Sequence, residues 1–415
     1  MQPAETFPYP RERVDEEAEL LAGSIREWGE KEVMPHRQKF DEDYDNKLIG
    51  PAIKALFVNI GVQKLLWPEK YGGGGLNSPG GAVTITRALE EIGRADPGIG
   101  FVAASMFSAL APIVMAPKVN KKLCAEFAPL FCDADEVRTC SPILPEQGGE
   151  GVYGAAPAAA RLEGGEWVIS GDGMRPASSG STADLFSVFC VVEGTAGKRV
   201  AVIAVPGDAS GIKREKPYRK MGLASDQNAT VHFENVRVPR RYCLCQEDGD
   251  GCFKGIFSWY ALYASAVCAG SMLDIYRIVK QWADSRVMRG HQKWAERPLK
   301  EHPVDAAVLA DVAEDIAISR LVTYDLARML GRAKVYGKPA SDGLFTAARV
   351  VNLFVTDAAI RSSDRAMEIM ASQGYARGGE LEKHWRDVRT IQAAMERLPA
   401  LRDIARYFYA SGGLK

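Results

Sequence analysis

The chain has 415 residues, of which 25% are charged and 47% apolar, a length and balance that suit two or three domains around substantial cores. Lys and Arg number 52 against 53 Asp and Glu, so nothing in the net charge points to nucleic acid as a partner. Eight cysteines with no C-x-x-C pair, and five dispersed histidines with no H-E-x-x-H, argue against a disulfide framework and against a metal site, and fit a reducing cytoplasm.

Met1 to Val14 shows no apolar h-region and no small-residue cleavage site, so no secretory signal is expected there. Glu16 to Glu32 alternates acids and bases around Ala18, Leu20, Leu21, Ile25 and Trp28, an amphipathic helical pattern. Pro51–Gly61 opens on proline and closes on glycine, the punctuation of a helix. The glycine-rich run Tyr71–Gly81 lacks a following Gly-Lys-Ser/Thr and reads as a turn, not a phosphate cradle. Two stretches, Pro97–Pro117 and Gly255–Leu273, carry no charge over about the length of a membrane span. Both are rich in Ala, Ser and Gly, where a lipid-facing helix would be dominated by Leu, Ile and Phe. They are expected as helices buried in a core, with no membrane span.

The middle third changes period. Glu166–Ser170, Leu185–Val192, Arg199–Val205 and Ala229–Val238 are short, rich in β-branched or aromatic residues, and separated by Gly and Pro. They predict a small β-barrel or sandwich. From Phe253 the helical period returns, with an apolar stripe through Leu309, Val312, Ile316, Val322, Leu326 and Met329 and a second long helix over Ala347–Met370. The expected partition is an N-terminal helical domain (1–135), a β-domain (136–245) and a C-terminal helical domain (246–415).

That order, with four local signatures, resembles the acyl-CoA dehydrogenase superfamily over nearly the whole chain. The signatures are Trp67–Leu76 (WPEKYGGGGL), Met221–Pro239 (MGLASDQNATVHFENVRVP), Leu309–Val312 (LADV) and Gly374–Arg389 (GYARGGELEKHWRDVR). The resemblance implies an α+β fold ending in a four-helix bundle, with FAD between the β-domain and the last helices and acyl-CoA beside it. It also implies removal of a proton from C2 of the thioester by a glutamate and loss of a hydride from C3 to the flavin. Electrons would pass to an electron-transfer flavoprotein or similar acceptor, in a homotetramer or homodimer.

Several positions depart from the family's pattern. Aligned on Arg386-Asp387, the usual catalytic glutamate falls at Met395 and the Gly-Thr after it at Glu396-Arg397. The other known home of that base falls at Tyr260. Glu396 is therefore the candidate base, with Tyr260 and Met395 as substrate-pocket residues. The flavin-contacting segment matches Leu144–Gly151, where Glu146 and Gly148 fit but Pro145 replaces a threonine and Gly151 a serine. The tryptophan over the flavin matches Arg175 and a nearby threonine matches Ala177. Proline has no backbone N–H and alanine no hydroxyl, so ring contacts are lost or rerouted. Arg286 matches the pyrophosphate-binding arginine, and Glu368 a glutamine near the adenine. Glu146 reads as a carboxylate bonding loop amides, and His291–Glu296 as a lengthened loop.

Three functions follow from this pattern. One is a dehydrogenase for a cyclic, branched or carboxylated acyl-CoA. Another is a catalytically degenerate subunit working with a homologous chain as a heteromer. The third is a flavin monooxygenase on the same fold. The sequence names neither the acyl group nor the direction of reaction.

Overall fold

The computed structural model describes residues 7, 9, 14–43, 46–78, 80–115, 119–146, 155–194, 199–245, 248–287 and 297–409. Helices α1 (Glu16–Trp28), α2 (Ile49–Lys54), α3 (Gly81–Ala95), α4 (Pro97–Val114) and α5 (Lys121–Cys132) come first. Asp15 caps α1 by accepting the Ala18 N–H, and Glu16, Glu17 and Glu19 fill its first turn, where carboxylates complement the helix dipole. The helix expected over Pro51–Gly61 starts two residues earlier and widens into a π-type turn over Ala55–Ile60 before Gly61 ends it at φ 89°.

Both uncharged stretches are helices buried inside the protein. The first is α4, whose N-terminus is capped by Asp96. The second lies within α6 (Gly249–Ser285). α3 and α6 cross so closely that a Cβ at Gly93 would overlap the Val267 carbonyl, and one at Gly270 the Glu90 carbonyl. Glycine is required there by contact between backbones.

The segment expected as a barrel or sandwich is hydrogen-bonded as one mixed sheet of eight strands. These are β1 (Cys140–Ile143), β2 (Ala158–Glu163), β3 (Glu166–Met174), β4 (Leu185–Val192), β5 (Val200–Pro206), β6 (Ile212–Arg214), β7 (Val231–Pro239) and β8 (Cys243–Cys245). The order is β6-β7-β3-β2-β4-β5-β8, with β1 parallel to the start of β4 and β2 parallel to its end. β4 reads LFSVFCVV and is buried along almost its whole length, as a central strand covered on both faces should be.

The chain closes with α6, α7 (Pro303–Leu330), the one-turn α8 (Ala333–Tyr336), α9 (Asp342–Met370), α10 (Glu380–Ala394) and α11 (Arg397–Tyr409). One expectation is corrected at the junction with the sheet: Cys245 and Cys252 form a disulfide. The absence of C-x-x-C spacing carried no information about a pair seven residues apart across the start of α6.

A buried ionic cluster joins all three parts. Lys383 on α10 donates to Asp96 Oδ2 at 2.9 Å and to Asp387 Oδ2 at 2.6 Å. Asp96 also accepts from Ile99 N and Ser225 Oγ, and Asp387 from Leu223 N. Burial works to raise the Asp96 carboxyl, but Lys383, the Ile99 amide and Ser225 hold it below its ordinary value. Alongside, Asp274 on α6 takes Arg37, Arg277 and His384. Removing one partner of such a cluster strands the others in a low-dielectric interior. Lys383→Met is therefore expected to cost about 3–5 kcal/mol of stability, read from urea unfolding. An unchanged midpoint would show that the two carboxylates find other partners.

Candidate active site

Four chain segments form most of a cavity of about 540 Å³ between the sheet and the C-terminal helices. From the end of β1 come Leu144, Pro145 and Glu146. The turn after β3 contributes Arg175, Pro176 and Ala177. Helix α6 contributes Phe253, Phe257 and Tyr260, and the end of α10 brings Ala393, Ala394 and Glu396. Tyr218 and Asn228 complete the wall.

The sheet side is held rigidly. Ala177 N donates to Pro142 O at 3.0 Å, tying the turn after β3 to β1. Asn228 accepts from Gly180 N at 3.0 Å and donates to Pro176 O at 2.9 Å. Ser179 N donates to Asp226, itself paired with Lys220. Glu146 N donates to Ala155 O at 3.0 Å, while its side chain is exposed. Arg175 is exposed at the cavity and has no carboxylate partner among the described residues.

On the helix side, Phe253, Phe257 and Tyr260 fall on one stripe of α6 because they are four and three residues apart. Phe257 meets Tyr260 edge-on at 6.1 Å, and Phe101 backs Tyr260 at 5.7 Å. Burial above all pushes the Tyr260 phenol well above its ordinary range, with Asp226 and Glu396 adding to the rise. At neutral pH it is an uncharged hydroxyl in an apolar wall.

Glu396 is half-buried, with its Oε2 sealed from solvent, and it joins α10 to α11. Its backbone is left-handed, φ 55°. Its N–H donates to Ala393 O, and its carbonyl accepts from Ala400 N to open α11. A non-glycine residue in this conformation costs roughly 1–2 kcal/mol, and such strain tends to be kept where a side chain has a task. Arg397 points elsewhere, to Asp357 at 3.1 Å.

The structure thus brings Leu144, Pro145, Arg175, Ala177, Tyr260 and Glu396 around one cavity. Met395 does not line it: the side chain is 2% exposed and packs in the core. Arg286 is exposed at the end of α6 with its guanidinium 4.6 Å from the Trp282 ring. Glu368 is exposed on α9 and pairs with Arg365. Neither lines the cavity. Gly148, Gly151 and His291–Glu296 lie outside the described residues. Sequence reasoning passed over Phe253, Phe257, Tyr218, Ala393 and Ala394. The spacing of Phe253, Phe257 and Tyr260 on one helix face was the available signal.

The lining fits the ring end of a flavin: Pro145, Pro176, Ala177, Phe257, Ala393 and Ala394 give it apolar surface, and Arg175 would place a positive charge beside a ring that gains negative charge on reduction.

Three family models match the chain: acyl-CoA dehydrogenase N-terminal domain over residues 15–122, middle domain over 145–236 and C-terminal domain over 249–394. The chain is 23% identical over 385 residues to cyclohex-1-ene-1-carbonyl-CoA dehydrogenase of Geobacter metallireducens, covering 91% of this chain and 93% of that one. It is 25% identical over 390 residues to the human mitochondrial short-chain specific acyl-CoA dehydrogenase, covering 92% and 88%. A glutaryl-CoA dehydrogenase from Mycobacterium smegmatis in complex with FADH2 superposes with a TM-score of 0.77 at 17% identity, covering 98% and 97%.

The strain at position 396 can be isolated by comparing two variants that both lack the carboxylate. Glu396→Gly should be more stable than Glu396→Ala by roughly 1–2 kcal/mol, read from paired denaturation curves. Equal stabilities would mean the turn relaxes out of the left-handed region.

Proposed function

Since this chain belongs to the acyl-CoA dehydrogenase family, we propose that it is an oxidoreductase for a wide acyl-CoA, cyclic, branched or carboxylated, with Glu396 as its base. The family is FAD-dependent. The observation that carries the reading is Glu396 itself, a carboxylate on the cavity wall whose side chain is put there by a strained backbone.

The α-proton of a thioester becomes removable when its carbonyl is polarised and water is kept away. Phe253, Phe257 and Tyr260 give the base an apolar surround, and Glu396 takes the proton from C2. When bound, FAD supplies the acceptor for the hydride that leaves C3. Leu144, Pro145, Arg175 and Ala177 would hold its ring. Ala393 and Ala394 present small side chains to the cavity, leaving width for a ring or branch, and relatives named for cyclohexene- and cyclohexane-carbonyl-CoA support that substrate class. The exposed apolar residues Ile318, Leu321 and Val350 on α7 and α9 support assembly through these helices. An electron-transfer flavoprotein is the proposed electron acceptor.

Glu396→Gln should lower acyl-CoA-dependent bleaching of the flavin by about 10²–10⁴-fold while FAD content stays at the wild-type level, and Met395→Ala should cost far less. Retained bleaching in Glu396→Gln would rule out the base assignment. A wild-type chain that bleaches with no acyl-CoA, but does so beside a homologous subunit, would favour the degenerate-subunit reading.

The missing ring contacts make a second prediction. With Pro145 and Ala177 unable to donate where the family's threonines do, purified protein should lose FAD on extended dialysis. The double variant Arg175→Trp, Ala177→Thr should hold more, measured as the ratio of flavin to protein absorbance. Full occupancy in the dialysed wild type would refute the expectation.

A further inference from the structure

We infer that Arg349 is a positioning residue for Glu396: from behind the aromatic wall it anchors the helix that Glu396 opens and biases that carboxylate toward its charged form. Its catalytic meaning rests on the proposed role of Glu396 as the base.

Arg349 lies on α9 and is among the largest fully buried side chains, 1% exposed. A guanidinium this deep is kept charged only by partners. Its central carbon is 3.8 Å from the centre of the Phe257 ring and 5.2 Å from that of Phe345, and Phe257 lines the cavity that Glu396 also lines. Its Nη2 meets Asp403 Oδ2 at 3.2 Å. Asp403 stands seven residues after Glu396, about two turns along α11. One side chain therefore stacks on the cavity wall and ties down the helix whose first turn starts at Glu396.

The charges point the same way. Burial lowers the Arg349 guanidinium to about 10, and the carboxylates of Asp403 and Glu396 oppose that fall. Attraction between two charges is mutual, so what favours charged Arg349 favours charged Glu396. Other groups stand around Glu396 on the elements packed near it. Tyr260 is held neutral by burial. Arg397 is turned to Asp357, and Arg402 approaches Asp403 at 3.8 Å. Glu146 and Arg175, across the cavity on the sheet side, are exposed and screened by water.

The test follows carboxyl carbons in FAD-loaded protein labelled with ¹³C at the glutamate side-chain carboxyl. The resonance absent from Glu396→Gln is that of Glu396, and its pH midpoint is the readout. Arg349→Met should raise the midpoint by roughly one unit and move the acid limb of the turnover profile the same way, with the plateau regained at higher pH. Arg349→Lys should bring the midpoint back toward wild type. Asp403→Asn, which leaves Arg349 one carboxylate fewer to share, should lower it. An unmoved midpoint in an Arg349→Met protein with wild-type circular dichroism and FAD content overturns the inference. If that variant does not fold, a midpoint that stays or rises in Asp403→Asn overturns it. Full turnover in Glu396→Gln would instead defeat the base assignment, while the midpoints would still report on Arg349.

Discussion

The fold depends on one buried cation shared by two carboxylates. Lys383 belongs to the C-terminal helices, Asp96 caps an N-terminal helix, and Asp387 accepts the Leu223 amide in the middle of the long loop between β6 and β7. Burying three charges is costly unless each is satisfied, and here each is satisfied only when all three parts of the chain are in place. The cluster thus acts as a registration device, with α10 as its carrier. The neighbouring set around Asp274, which gathers Arg37, Arg277 and His384, pins the start of the same helix to α6.

Fixing α10 fixes where it ends. Three residues past Lys383 the chain reaches Arg386, bonded to Asp41, Glu382 and the Met221 carbonyl, and ten residues further it reaches Glu396. The opposite wall is set by a different mechanism, a lattice of amide hydrogen bonds around Asn228 and Asp226 that holds the Arg175–Gly180 turn. The cavity is therefore the gap left between two rigid bodies. Each side carries a left-handed non-glycine residue, Ser179 in that turn (φ 52°) and Glu396 after α10 (φ 55°), and the second brings a carboxylate to the cavity wall.

Chemistry in such a site depends on contrast. Tyr260 is kept neutral by burial, so the α6 wall is apolar in effect despite its hydroxyl. Against it stand Glu396, with Arg349 close behind Phe257, and Arg175 on the far side. A negative group beside two small alanines at the end of α10 and a positive one on the sheet side thus both line the same cavity.

The sequence alone determined the order of helical, β and helical parts, because periods of 3.6 and 2 are local properties of the chain. It also fixed the burial of the two uncharged stretches, whose Ala, Ser and Gly content suits close helix packing. The motif alignment named Leu144, Pro145, Arg175, Ala177, Tyr260, Glu396, Met395, Arg286 and Glu368 as candidates, and the structure brings the first six around one cavity and places the other three away from it. Met395 and Glu396 are adjacent, and the one that reaches the cavity is the one whose backbone turns left-handed after the helix end, a turn that hydrophobic periodicity does not mark. The same limit hid Arg349 and the Cys245–Cys252 pair, and it applies most plainly to Lys383 and Asp96, bonded across 287 residues. Hydropathy and spacing describe neighbours along the chain, whereas partners brought together by folding leave no local mark.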